Sequence, residues 1–170
     1  MKQSVIDINF MKRALQLAKI AGLNTAPNPM VGAVIVFNNR IIGEGYHRYY
    51  GKAHAEVNAV KSVKDKSLLH KSTIYVTLEP CSHTGKTPPC TDLIIHHQFK
   101  RVVIACEDSY HKVAGKGIIR LKNAGISVES GILKEEAQEL NKRFFTYHKK
   151  KTTFYYFKMG ADERRVYRSN

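Results

Sequence analysis

Residues 73–81, Thr73-Ile74-Tyr75-Val76-Thr77-Leu78-Glu79-Pro80-Cys81, decide the fold class. The first six are β-branched, aromatic or apolar and predict a strand, which stops at Glu79-Pro80 because proline has no N–H for a ladder. After a loop over 81–89, Pro88-Pro89 leads into a helix beginning near Cys90 and continuing through Ile95, since proline suits the entry to a helix. Residues 101–106 form another apolar run with the look of a buried strand. Strand, helix and strand in succession imply an α/β layer structure with parallel pairing on this side of the sheet.

Working outward, residues 8–20 carry Met11, Leu15 and Ala18 at helical spacing and end near Gly22. Thr25-Ala26-Pro27-Asn28-Pro29 cannot continue that helix. Two apolar strands, 31–37 and 40–46, flank Asn38-Asn39 and predict a hairpin. A helix is expected from His54 through Val63, another over 113–123 stopped by Gly125, a short strand over 126–129, and a last helix over 134–147. Lys149-Lys150-Lys151 resembles a linker, and Phe154-Tyr155-Tyr156-Phe157 a strand with little chain after it to pack against. There is no internal repeat and no low-complexity tract.

The composition narrows the function classes. The chain has 170 residues, 43% hydrophobic and 25% charged, enough apolar matter for a packed core of about one domain. No apolar run approaches the roughly 18–20 residues that span a bilayer. The N-terminus has charges where a secretory signal would be apolar. The expected setting is cytoplasmic, with no membrane partner. The net charge of +14 suggests an anionic partner, but half of that excess lies in residues 141–170, which hold nine Lys/Arg and two Asp/Glu. The main body has no long basic stripe interleaved with aromatics, so nucleic acid is not required as a partner. Self-association is left open.

Three cysteines, Cys81, Cys90 and Cys106, argue for metal or catalytic chemistry rather than a disulfide framework. His54-Ala55-Glu56, Pro80-Cys81 and Pro89-Cys90 form a combination with one economical explanation. One imidazole and two thiolates suit zinc (Zn2+), and three protein ligands leave a fourth corner for water. His54 and Glu56 diverge by about 200° on a regular helix, so both reach one site only if it lies off the helix end. His54, Cys81 and Cys90 are therefore the expected metal ligands, with Glu56 as the general acid–base group. Cys106 sits among Val102-Val103-Ile104-Ala105 and reads as an ordinary buried thiol, although as a fourth ligand it would close the site. His83 is expected to face substrate, with a fourth-ligand role as the alternative.

The eight residues between Cys81 and Cys90 separate this chain from deaminases acting on tRNA or cytidine, which typically have two. Together with Thr25-x-Pro27-Asn28-Pro29-x-Val31-Gly32-Ala33-Val34 and Val113-Ala114-Gly115-x-Gly117, that spacing resembles the pyrimidine deaminase domain of bacterial riboflavin biosynthesis. The resemblance runs over residues 10–158. It implies a three-layer α/β/α cytidine-deaminase-like fold with a mixed, mostly parallel five-stranded sheet. It also implies zinc-dependent hydrolytic deamination of a small phosphorylated pyrimidine, diaminohydroxyphosphoribosylaminopyrimidine. On the same resemblance, Asn28 hydrogen-bonds the ring or ribose, or else caps a turn. Lys86 pairs with the substrate phosphate, or else is a solvated loop lysine. His47 approaches the pocket or lies on the surface, and Asp108 belongs to a substrate-contacting loop. That loop continues Ser109-Tyr110-His111, where the family usually has Asp-Pro-Asn or similar.

In that family the deaminase is usually the N-terminal half of a bifunctional enzyme with a reductase half. Residues 1–148 are accordingly read as the deaminase domain, and 149–170 as a linker and the truncated start of an absent reductase, with no reductase activity expected. Two rivals compete: a zinc deaminase acting on tRNA or another nucleobase, and a non-enzymatic module with structural zinc and a basic tail.

Overall fold

The computed structural model describes residues 3–85, 87–108, 115–150, 154–159 and 163–168. Helix α1 (Gln3–Ile20) leads through a 3-10 turn, Gly22–Thr25, into strands β1 (Gly32–Phe37) and β2 (Arg40–Tyr46). Helix α2 (Ala55–Ser62) and a second 3-10 segment, Lys66–Lys71, precede β3 (Thr73–Leu78), α3 (Cys90–His96), β4 (Arg101–Cys106) and α4 (Lys116–Asn123). Then come β5 (Ser127–Ser130), α5 (Lys134–Leu140), α6 (Lys142–Lys150) and an antiparallel pair, β6 (Phe154–Met159) with β7 (Glu163–Arg168).

The five-stranded sheet has the order β2-β1-β3-β4-β5. β1 is antiparallel to both its neighbours, and β3, β4 and β5 pair in parallel. Four strands thus run one way and β1 alone runs the other, which is the mixed, mostly parallel sheet expected. The β1–β2 turn is Asn38-Asn39, both at positive φ (48° and 59°), the left-handed conformation that matches a two-residue turn to strand twist.

Alternation along the strands builds two cores. Ala33, Ile35, Ile74, Val76, Val102 and Ile104 point to the layer of α2, α3 and α4. Val34, Val36, Tyr75, Val103 and Ala105 point to the layer of α1, α5 and α6. Both faces are covered, so the central strands are apolar throughout rather than alternating. Among the described residues, no helix is long and apolar enough to cross a membrane.

Three departures from the expected elements have physical causes. α1 starts at Gln3 rather than near residue 8 because its first turns bury an acid that apolar periodicity does not count. Asp7 accepts from Tyr75 Oη at 2.7 Å and from both terminal nitrogens of Arg101 at 2.8 Å. The last helix is two helices. At the break, Asn141 turns inward, accepting from Met30 N–H and donating to Met30 O, both at 2.8 Å. α4 is described from Lys116, the start expected at Val113 lying outside the described residues. Lys149 and Lys150, read as linker, continue α6, and β7 was not anticipated.

Candidate metal centre

The site forms where three chain turns meet just past the C-terminal end of the central strand β3. His54 is the residue before α2, in extended conformation (φ −71°, ψ 168°), and its carbonyl already accepts from Asn58 N–H at 3.1 Å. Its side chain therefore leaves the helix end, as a shared site with Glu56 requires. Cys81 follows the proline that ends β3. Cys90 opens α3 directly after Pro89, and its N–H donates to Cys81 Sγ at 3.3 Å. Thr91 holds this turn shut, donating through both N–H and Oγ1 to Cys81 O at 3.1 and 3.2 Å.

His54 Nδ1 lies 3.7 Å from Cys81 Sγ and 3.3 Å from Cys90 Sγ, and all three donor atoms fall within 4.8 Å of one another. Tetrahedral zinc with Zn–S near 2.3 Å and Zn–N near 2.0–2.1 Å needs ligand separations of about 3.5–3.8 Å. The donor set therefore fits zinc in both chemistry and spacing. Cys81 is pushed down to about 4, chiefly by a hydrogen bond from the Cys90 thiol, with His54 adding to it against the cost of burial. Cys90 is pushed well up, first by Cys81 and then by burial. Cys81 also raises His54.

Glu56, 3% exposed, sits in the first turn of α2 beside the Cys90 thiol. Burial first, and then the charge of Cys81, push its carboxyl above the usual range against the pull of His54. This is the direction a general acid–base group needs if it is to exchange protons near neutral pH.

His54, Cys81 and Glu56 line a cavity of about 340 Å³, within the range of about 300–1,000 Å³ for small-molecule sites. Asn28, His47, His83 and Asp108, all named from the sequence, line it too. Asn58 donates to the carbonyls of Tyr46 and Ala53 at 2.8 and 3.3 Å, closing the loop that carries His47. His47 Nδ1 contacts Ala53 O at 3.1 Å, and its ring stands edge-on to His54 with centroids 5.4 Å apart. A carbonyl only accepts, so Nδ1 carries the proton and Nε2 accepts from Asn28 Nδ2 at 3.3 Å. Burial pushes the His47 ring down, keeping it neutral.

Lys86 lies outside the described residues. Cys106 stands apart from the ligand group; its thiol donates to Thr77 O at 3.4 Å inside the sheet. Sequence reasoning missed Glu79, Lys52 and Phe144 on the cavity wall. Only Glu79 had a signal, namely an acid between an apolar strand and Pro80-Cys81.

The site and fold define a class, proteins built around a cytidine-deaminase-type zinc-binding region. The chain belongs to the cytidine and deoxycytidylate deaminase zinc-binding family, whose model matches residues 4–106. It is 54% identical over 142 residues to a riboflavin biosynthesis protein RibD of Aquifex aeolicus, covering 84% of this chain and 39% of that one. It is 49% identical over 139 residues to a diaminohydroxyphosphoribosylamino-pyrimidine deaminase of Buchnera aphidicola from Schizaphis graminum, covering 82% of this chain and 93% of that one. A solved RibD structure from Acinetobacter baumannii superposes with a TM-score of 0.86 at 44% identity, covering 89% of this chain and 42% of that one. The chain thus spans about two fifths of the long relatives and nearly all of the short one.

Proposed function

We propose that this chain is a hydrolytic deaminase of riboflavin biosynthesis. It replaces the exocyclic amine of diaminohydroxyphosphoribosylaminopyrimidine with oxygen from water, yielding 5-amino-6-(5-phosphoribosylamino)uracil and ammonia. The observation that carries this reading is the convergence of His54, Cys81 and Cys90, with His54, Cys81 and buried Glu56 on the wall of one cavity. Relatives near 50% identity that bear this activity's name support the substrate class.

His54, Cys81 and Cys90 hold zinc in this reading, and bound zinc supplies a Lewis acid that brings the pKa of water down to about 7. Glu56 accepts the proton released from the attacking water, returns it to the ring nitrogen, and relays the proton that lets the amine leave as ammonia. Its burial keeps bulk water from taking part in that relay. The neutral His47 holds Asn28 by its NH2 end, leaving the amide oxygen to accept from an N–H of the ring. His83, Lys86 and Asp108 take the ribose and phosphate, with Lys86 as a point charge on the anion. Residues 1–148 carry this activity, and β6 and β7 are read as opening strands of a reductase-type unit.

Ammonia release by zinc-loaded protein tests the reading, with the phosphorylated diaminopyrimidine run beside cytidine, guanine and tRNA. Turnover of the diaminopyrimidine alone is expected. Release from tRNA or cytidine instead overturns the substrate assignment, and release from none overturns the enzyme.

A further inference from the structure

Glu79 is buried to 4% exposure between the end of β3 and Pro80-Cys81. Its carboxylate is saturated by backbone amides from another part of the chain. Oε2 accepts from Asp108 N–H at 3.2 Å and Gly115 N–H at 2.9 Å. Oε1 accepts from Gly117 N–H at 2.8 Å and Ile118 N–H at 3.3 Å. A carboxylate offers about four lone-pair sites and no donor, so four N–H groups match it fully. Asp108 and Gly115 flank residues 109–114 in the chain, and Asp108 lines the cavity. Gly117 seals the arrangement, because a Cβ there would meet Pro80 O at 2.2 Å and Glu79 Oε1 at 3.1 Å.

We propose that Glu79 is a positioning residue for the deamination, a clamp that fixes the Asp108 wall of the cavity and the start of α4 to the strand end bearing Cys81. The role rests on the deaminase reading above. Although Glu79 borders the cavity, its carboxylate is engaged by these backbone amides; it acts by setting where Asp108 stands when substrate enters. Because its backbone leads directly through Pro80 to Cys81, one residue sets the distance between the metal-binding turn and the opposite wall. A neutral amide cannot substitute, since its NH2 would face N–H donors and leave buried amides unpaired.

Glu79→Gln and Gly117→Ala test the clamp from its two sides, the second leaving the carboxylate in place. Both are expected to raise KM for the phosphorylated diaminopyrimidine by about tenfold or more, with kcat within about threefold and zinc content unchanged. Amide hydrogen exchange should quicken by about tenfold or more at Asp108, Gly115, Gly117 and Ile118 while β1 amides keep their protection. Glu79→Asp, which keeps the charge but shortens the reach, should fall between wild type and Glu79→Gln in KM. Wild-type KM in both variants, or exchange that quickens across the whole sheet with zinc loss, overturns the positioning role. If zinc-loaded wild-type protein releases no ammonia from the pyrimidine, the deaminase reading fails first, and the role in substrate binding fails with it.

Discussion

Gly45→Ala is the substitution whose consequence can be worked out furthest from geometry. Gly45 lies on β2 opposite Ala33, directly beneath α2. A Cβ built there meets Ala59 N at 2.2 Å, Ala55 O at 2.5 Å and Asn58 C at 2.7 Å, all of them helix backbone that no rotamer can move aside. Ordinary contact begins near 3.4 Å, so the helix has to retreat from the strand by about 1.2 Å. Overpacking of this kind costs about 1–3 kcal/mol. The displacement also carries His54, at the helix entry, and Glu56, in its first turn, away from Cys81 and Cys90. A misplacement near 1 Å costs about 100-fold in rate. The expected result is a lowered urea midpoint together with a kcat/KM for ammonia release reduced by about two orders of magnitude. A Gly45→Ala protein with wild-type urea midpoint and wild-type turnover refutes the reasoning that a Cβ-free strand seats the helix bearing the site.

Glu56→Gln should keep fold and zinc while lowering kcat by about 10²–10⁴-fold, the usual worth of positioned proton transfer; near-normal ammonia release defeats the proton-relay assignment. Cys90→Ser should fail to retain zinc through dialysis because the hydroxyl is not ionised at neutral pH, and full metal content by atomic absorption means the ligand set is wrong. Arg13, hydrogen-bonded to Glu44 at 2.6 and 2.9 Å, holds that carboxyl below its usual range. The pair therefore contributes stability above the unfolded carboxylate value of about 4.3, and that contribution is lost as pH falls through the lower folded value. Glu44→Gln should destabilise by no more than about 1 kcal/mol at pH 7, since both side chains are partly solvated. The difference should vanish near pH 2; equal urea differences at both pH values refute the linkage.

By itself, the sequence determined the strands and most helices and singled out the candidate metal ligands, because each has a local cause. Strand runs 40–46, 73–78 and 101–106 came out as read, since apolar faces repeat within a few residues and proline or glycine ends them. His54, Cys81 and Cys90 could be named because thiolate and imidazole chemistry restricts what such residues do, and they do meet. Tertiary structure decided everything that depends on a partner far along the chain. Asp7 begins α1 early through Tyr75 and Arg101, and Asn141 splits the last helix through Met30, 111 residues away. Glu79 looks like any acid after a strand until four amides from the β4–α4 side converge on it. Periodicity reports which face of an element is apolar. It says nothing of which buried polar group will satisfy another, because that choice is made only when the layers close and water leaves both at once.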